Sequence, residues 1–130
     1  VKWAGECKDM PAAYLLADIV VSASIEPEAF GRVVVEAQAM GRPVIASNHG
    51  GSAETIIDGE TGLLYPVDNI DALSQMIGKV LTLNAQARER LSEMQIAHVR
   101  AHYSREKMCE GEFICYKKTL AAAKKRRKAA

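Results

Sequence analysis

Two carboxylate side chains, Glu28 and Glu36, have seven residues between them in the segment SIEPEAFGRVVVEAQAM. Glu28 precedes a predicted helix, Glu36 falls about one and a half turns inside it, and Phe30 and Gly31 lie at its start. The first turn of a helix leaves several N–H groups unpaired and carries partial positive charge, so it attracts anions. The segment therefore predicts a cluster of amides between two hydrogen-bond acceptors.

A nucleotide sugar needs this combination of groups. Its diphosphate needs N–H donors, its ribose diol needs an acceptor such as a carboxylate, and its hexose hydroxyls need a further polar partner. Gly31 has no Cβ, which lets a ligand approach the backbone closely. The alternative is that Glu28 and Glu36 are ordinary solvated side chains, although the three valines before Glu36 favour a helix packed on a sheet.

A second loop, SNHGGSAET, contains Gly50 and Gly51 and leads into a short predicted helix that Ser52 can cap. Paired glycines allow close backbone approach, but they also occur in ordinary turns between a strand and a helix. His49 precedes them and is either a donor contact or a polar loop residue. The loop therefore supports a ligand site only together with the first one.

Apolar runs and turn residues divide the chain into alternating strands and helices. The predicted strands are residues 1–4, 19–23, 43–47 and 63–65, and the predicted helices are residues 11–17, 31–40, 52–57, 68–81, 85–101 and 104–120. This alternation predicts an α/β fold with a Rossmann-like parallel sheet covered by helices on both faces. Ligands bind such sheets at the carboxyl ends of the strands, so the loops after Ala23, Ser47 and Tyr65 share the ligand edge.

Several side chains are expected to cap a helix or to pack in the core. Asp68 is expected to cap the fourth helix, and Trp3 to lie in the core or at the sheet edge. Two sets of apolar residues are expected to face inward: Ile70, Leu73, Ile77, Val80 and Leu81 in the fourth helix, and Met108, Phe113, Tyr116 and Leu120 in the last.

Composition excludes several classes of protein. The 130 residues carry 17 basic and 16 acidic side chains, which argues against a dedicated nucleic-acid-binding protein. The three cysteines lack a CxxC pair, so free thiols and a cytoplasmic location are expected. No apolar run approaches the roughly 18 residues of a membrane span. The start at Val1, with no methionine, is expected for a piece of a longer protein truncated at its N-terminus.

Two further motifs could be functional but are better explained as ordinary surface helix residues. His98 and His102 stand four residues apart on a predicted helix, but no third ligand is apparent, so we expect no metal site. The run KKRRK near the C-terminus favours a solvated helix end, with peripheral contact at the cytoplasmic membrane face as the alternative.

The motifs SIEPEAFG, EAQAMGRPVIAS, GGSAE and DGETGLLYPVD occur in this order. Together they resemble the C-terminal domain of family 4 (group 1) retaining glycosyltransferases, over residues 1–120. The resemblance implies a GT-B fold, in which two Rossmann-like domains face a cleft and the C-terminal one binds the nucleotide-sugar donor. It implies a nucleotide-sugar-binding domain at residues 1–120, a basic tail at residues 121–130, and a missing N-terminal domain.

The resemblance also implies roles for individual residues. Glu28, the catalytic candidate, would contact and stabilise the transferred sugar, and Glu36 would hold the ribose hydroxyls. The remaining donor-binding candidates are Phe30, Gly31, Arg32 and Val33, through their amides, and Gly50, Gly51 and Glu54, which would shape the adjacent loop.

The implied reaction is retaining transfer of a hexose to a glycan or lipid acceptor, with no metal or other cofactor. The Arg and Lys that neutralise the diphosphate in this family are not in the chain, so this piece alone is expected to bind donor weakly and to be inactive. The alternatives are a non-catalytic nucleotide-binding module and a sugar phosphorylase of the same fold.

Overall fold

The structure is a computed structural model that describes residues 1–129, without the side chains of residues 125–129. It contains three strands: β1 (Val20–Ser22), β2 (Val44–Ser47) and β3 (Leu63–Tyr65). Its helices are α1 (Met10–Leu16), α2 (Arg32–Ala39), α3 (Gly50–Thr55), α4 (Ile70–Leu81), α5 (Ala85–His102) and α6 (Arg105–Ala129). The predicted alternation of strands and helices is confirmed from β1 to α4.

The sheet is parallel, with strand order β1-β2-β3. Val20 pairs with Val44, and Ile45 pairs with Leu63. Because all three strands run in one direction, their carboxyl ends meet at a single edge. The residues that follow β1 and β2 are therefore brought together there, as predicted.

The central strand β2 is buried on both faces, as its unbroken apolar run VIA predicts. Side chains alternate along a strand, so Val44 and Ala46 pack on one face with Tyr14 and Val34, from α1 and α2. Ile45 packs on the other face against Val80 of α4. Helices on both faces of a parallel sheet are thus confirmed.

Two helix starts differ from the predictions. The side chain of Asn69, not that of Asp68, caps α4, because Asn69 Oδ1 accepts from the amide of Ala72 at 2.9 Å. Asp68 instead adopts a left-handed conformation in the turn before it. Ser52 does not cap α3 either, since that helix begins at Gly50 and buries Ser52 inside it.

The prediction of a strand at residues 1–4 is wrong. This segment pairs with no strand in the part of the chain that the structure describes, and Trp3 is 94% exposed and neither in the core nor at the sheet edge. An apolar segment becomes a strand only when a neighbour accepts its N–H and C=O groups. No such neighbour lies beside it here.

The predicted inward faces of two helices are partly or wholly wrong. Ile70 and Leu81 are exposed at the two ends of α4, whereas Leu73, Ile77 and Val80 pack on the sheet. The four residues of α6 predicted to face inward, Met108, Phe113, Tyr116 and Leu120, are all exposed. A stripe of this kind is buried only where another element covers it. None of the helices described within residues 1–129 has the length and apolar character needed to cross a membrane.

The backbone before α2 lies directly on the two glycines that begin α3. A Cβ on Gly51 would come within 2.5 Å of Phe30 Cα and O, and one on Gly50 within 2.6 Å of Glu28 O. The amide of Gly51 donates to the carbonyl oxygen of Glu28 at 2.8 Å. Only glycine leaves room for this approach, so the paired glycines fix where the loop before α2 lies.

The close approach predicts opposite effects of the same substitution at two helical glycines. Gly51→Ala forces a methyl group into the Phe30 backbone, so it is expected to lower the free energy of unfolding by about 1–3 kcal/mol. Gly78→Ala in α4 meets nothing within 4 Å and is expected to raise it by roughly 0.5–1 kcal/mol. Urea denaturation of both variants measures the difference. Equal effects at the two positions would contradict this packing.

Candidate functional site

Glu28 lies above the carboxyl end of β1, where two serine hydroxyls hold its carboxylate. Ser24 Oγ donates to Glu28 Oε1 at 2.6 Å, and Ser22 Oγ donates to the same oxygen at 3.2 Å. The carboxylate is half-buried, and Oε2 has no protein donor among the described residues. The strand end therefore orients Glu28 and leaves one oxygen for a ligand hydroxyl.

Glu36 lies on the side of α2 that faces α1. Tyr14 Oη donates to Glu36 Oε2 at 3.0 Å, while the Arg32 guanidinium donates to Oε1 at 3.0 Å. Burial raises the pKa of the Tyr14 phenol to about 12, and the hydrogen bond to the Glu36 carboxylate adds to this shift. The phenol therefore stays protonated near neutral pH and donates permanently to Glu36.

The ion pair of Arg32 with Glu36 is weak and easily exchanged. The Arg32 side chain is 83% exposed, and pairs of this i,i+4 type contribute about 0.3–0.5 kcal/mol. A ribose diol or a phosphate can thus displace either member at small cost. The contact does not obstruct a ligand at Glu36.

The start of α2 lies between the two carboxylates along the chain and lacks a side-chain cap. Gly31 is the N-cap, with φ +75°, a conformation that other residues adopt only with strain. It has no side chain that could accept from the first-turn amides, so the amides of Arg32 and Val33 are left for solvent or an anion. Phe30 and Val33 are exposed beside them.

The second predicted loop contributes to this site unevenly. Gly50 and Gly51 support the backbone of Glu28 and Phe30, as described above. Glu54 lies further along α3 and is exposed, and its carbonyl oxygen accepts from Tyr103 Oη. The structure thus places Gly50 and Gly51 against the loop before α2, whereas the backbone of Glu54 contacts Tyr103 at the end of α5.

Sequence reasoning missed the residues that hold the two carboxylates, namely Tyr14, Ser22 and Ser24. The serines carried a usable signal, because Ser22 ends β1 and Ser24 begins the loop that contains Glu28. Tyr14 carried none, since it contacts Glu36 from another helix, 22 positions away along the chain. His49 Nε2 lies 2.8 Å from the carbonyl oxygen of Ser24, which favours the role of a loop-holding residue for this histidine.

A cavity of about 810 Å³ lies elsewhere, where β2 and β3 begin and α4 faces α5. Its lining includes Val44, Leu63, Val80 and Met94 and none of the predicted site residues. The site that the polar groups indicate therefore lies outside this cavity. We assign the candidate site from the polar groups, because ligands of open parallel sheets bind beyond the carboxyl ends of the strands.

The two helix histidines pack against aromatic neighbours. The rings of His98 and His102 are 4.9 Å apart, and His98 Nε2 lies 3.3 Å from the carbonyl oxygen of Thr55. Among residues 1–129, no three potential ligand side chains of His, Cys, Asp or Glu come together. This pair therefore gives no metal-binding geometry in the described part of the chain.

Comparison with known proteins gives one consistent result. The family model described as glycosyl transferases group 1 matches residues 1–97. The chain is 42% identical over 86 residues to D-inositol 3-phosphate glycosyltransferase of Paenarthrobacter aurescens, which covers 63% of this chain and 20% of that protein.

Two solved structures show the same fold. A glycosyltransferase from Rickettsia africae superposes with a TM-score of 0.84 at 37% identity, covering 88% of this chain and 31% of that one. Anabaena HepE, in complex with UDP and glucose, superposes with a TM-score of 0.79 at 27% identity, covering 89% and 32%. This chain thus spans about a third or less of these proteins, and its fold is that of part of a GT-B glycosyltransferase. The chain belongs to the group 1 glycosyl transferases.

Proposed function

We propose that this chain binds the nucleotide-sugar donor of a retaining glycosyltransferase that transfers a hexose to a glycan or lipid acceptor. One observation carries the proposal: two carboxylates, each held by hydrogen bonds, flank an uncapped helix start along the chain, and that start follows a strand at the ligand edge of a parallel sheet. The complex of the similar HepE with UDP and glucose supports the ligand class.

In this proposal Glu36 binds the ribose diol. Its partner Tyr14 supplies one hydrogen bond and fixes the carboxylate, while the exposed Arg32 gives way to the incoming hydroxyls. The diphosphate then accepts from the amides of Arg32 and Val33, where the helix dipole adds positive potential. Phe30 and Gly31 line this approach through their backbone. Gly50 and Gly51 pack against the loop before α2, and Glu54 shapes the adjacent segment that includes α3.

Glu28 contacts the hydroxyls of the transferred hexose. In retaining transfer of this kind, the acceptor hydroxyl attacks the anomeric carbon from the face that the diphosphate leaves. The bond from carbon to phosphate oxygen breaks, the bond to the acceptor oxygen forms, and the leaving phosphate takes the acceptor proton. Glu28, held by Ser22 and Ser24, would stabilise the positive charge that develops on the sugar.

We further propose that the reaction needs no metal, that this chain alone binds donor weakly, and that the protein acts in the cytoplasm. The amides and the helix dipole stabilise the diphosphate without a metal or other cofactor. We expect a UDP dissociation constant of about 1 mM or weaker, because the diphosphate is held mainly by amides and a helix dipole rather than by charge-assisted hydrogen bonds, and we expect no transfer by this chain alone. The protein acts in the cytoplasm, with its basic tail at the membrane surface when the acceptor is a lipid.

Glu36→Gln tests the ribose contact. Loss of a charge-assisted hydrogen bond removes about 1.5–3 kcal/mol, so UDP affinity is expected to fall at least about tenfold. Amide chemical shifts during a UDP titration measure the affinity. The matched control is Glu26→Gln, a change of the same kind at an exposed residue of the neighbouring loop, which is expected to leave affinity within about twofold. Wild-type affinity in Glu36→Gln would refute the ribose assignment.

Glu28→Gln separates the sugar from the nucleotide. If Glu28 contacts only the hexose, the variant is expected to bind UDP like the wild type and to bind UDP-glucose about three- to tenfold more weakly than the wild type does. Parallel titrations with the two ligands measure this. The assignment fails if the variant weakens both ligands equally or neither.

A further inference from the structure

Tyr103, at the C-terminal end of α5, connects two elements of the candidate site. Its ring lies edge-on to the ring of Phe30, with centroids 5.8 Å apart and planes at 71°. Its hydroxyl donates to the carbonyl oxygen of Glu54 in α3 at 3.1 Å. The Tyr103 side chain thus contacts Phe30, just before the α2 N-cap, and Glu54 of α3, the helix against which the loop before α2 packs.

These two contacts converge on the position of Glu28. Phe30 is separated from Glu28 by a single residue, and α3 holds the carbonyl of Glu28 through the amide of Gly51 at 2.8 Å. Phe30 is 47% exposed, and Tyr103 supplies the aromatic ring that packs against it. A ring that fixes Phe30 therefore restricts the loop that carries Glu28 and the first amides of α2.

Tyr103 is itself held firmly enough to serve as a support. Its amide donates to the carbonyl oxygen of Val99 at 2.8 Å, and the ring of His98 packs against it with centroids 5.5 Å apart. Burial raises the pKa of the Tyr103 phenol, as does the nearby negative charge of Glu54. The hydroxyl therefore remains a donor to Glu54 at neutral pH.

We propose that Tyr103 is a positioning residue for the nucleotide-sugar site: its ring restrains Phe30 and so holds the Glu28 loop and the free amides of α2 in the place that the contact with Gly50 and Gly51 sets. The nucleotide part of this inference rests on the function proposed above. The part that concerns the loop does not, because it depends only on the packing of Phe30 and α3 within this chain.

Hydrogen exchange tests the positioning without a ligand, in wild type, Tyr103→Leu, Tyr103→Phe and the control Tyr116→Leu, at an exposed tyrosine of α6. In Tyr103→Leu, the amide of Gly51 is expected to exchange about tenfold faster, while the amides of β2 are unchanged. Tyr103→Phe keeps the ring and is expected to exchange within about twofold of wild type, as is Tyr116→Leu. The proposal is overturned if Gly51 and β2 change by the same factor, if neither changes, or if Tyr103→Phe behaves like Tyr103→Leu.

A UDP titration of the same four proteins tests the consequence for binding. Tyr103→Leu is expected to weaken UDP binding about three- to tenfold, with Tyr103→Phe and Tyr116→Leu close to wild type. If the wild type binds and Tyr103→Leu binds equally well, the inference fails while the proposed function stands. If the wild type does not bind UDP even at about 50 mM, the proposed function fails, and the exchange experiment still decides whether Tyr103 positions the loop.

Discussion

The site depends on the close approach of two backbones, that of residues 27–31 and that of Gly50 and Gly51. Their contact permits the hydrogen bond from the Gly51 amide to the Glu28 carbonyl, and it fixes the direction from which the chain enters α2. The side chain of Glu28 then meets the serines at the end of β1, and Gly31 leaves the first amides of α2 uncapped. The polar site thus depends on the packing of Gly50 and Gly51 against the loop before α2.

The parts of the fold that were predictable from sequence are those whose signal is local. The apolar run VIA and the helix predicted at residues 31–40 each describe a single element, and the structure confirms both. Residues 1–4 and the apolar face of α6 needed a neighbour to become strand or core. Within the described residues no neighbour covers them, so these predictions were wrong for a physical reason that the local pattern does not contain.

For the site, the sequence could indicate the acceptors and the amides but not the groups that hold them. Glu28, Gly31 and Glu36 lie in one segment around a single helix start, so their order along the chain relates them. Tyr14 reaches Glu36 from a separate helix, and Tyr103 reaches Phe30 across 73 residues of chain. Contacts of this kind follow from tertiary packing, which a single sequence does not specify. Whether these residues bind a nucleotide sugar stays a proposal that the geometry and the family support.

The most direct test of the central claim is the crystal structure of this chain soaked with UDP-glucose at high concentration. We expect the diphosphate at the amides of Arg32 and Val33, the ribose hydroxyls on the Glu36 carboxylate, and the glucose on the side of Glu28. A nucleotide bound away from α2, for example in the cavity where β2 and β3 begin, would contradict this expectation. A ligand that contacts only one of the two carboxylates would contradict it as well.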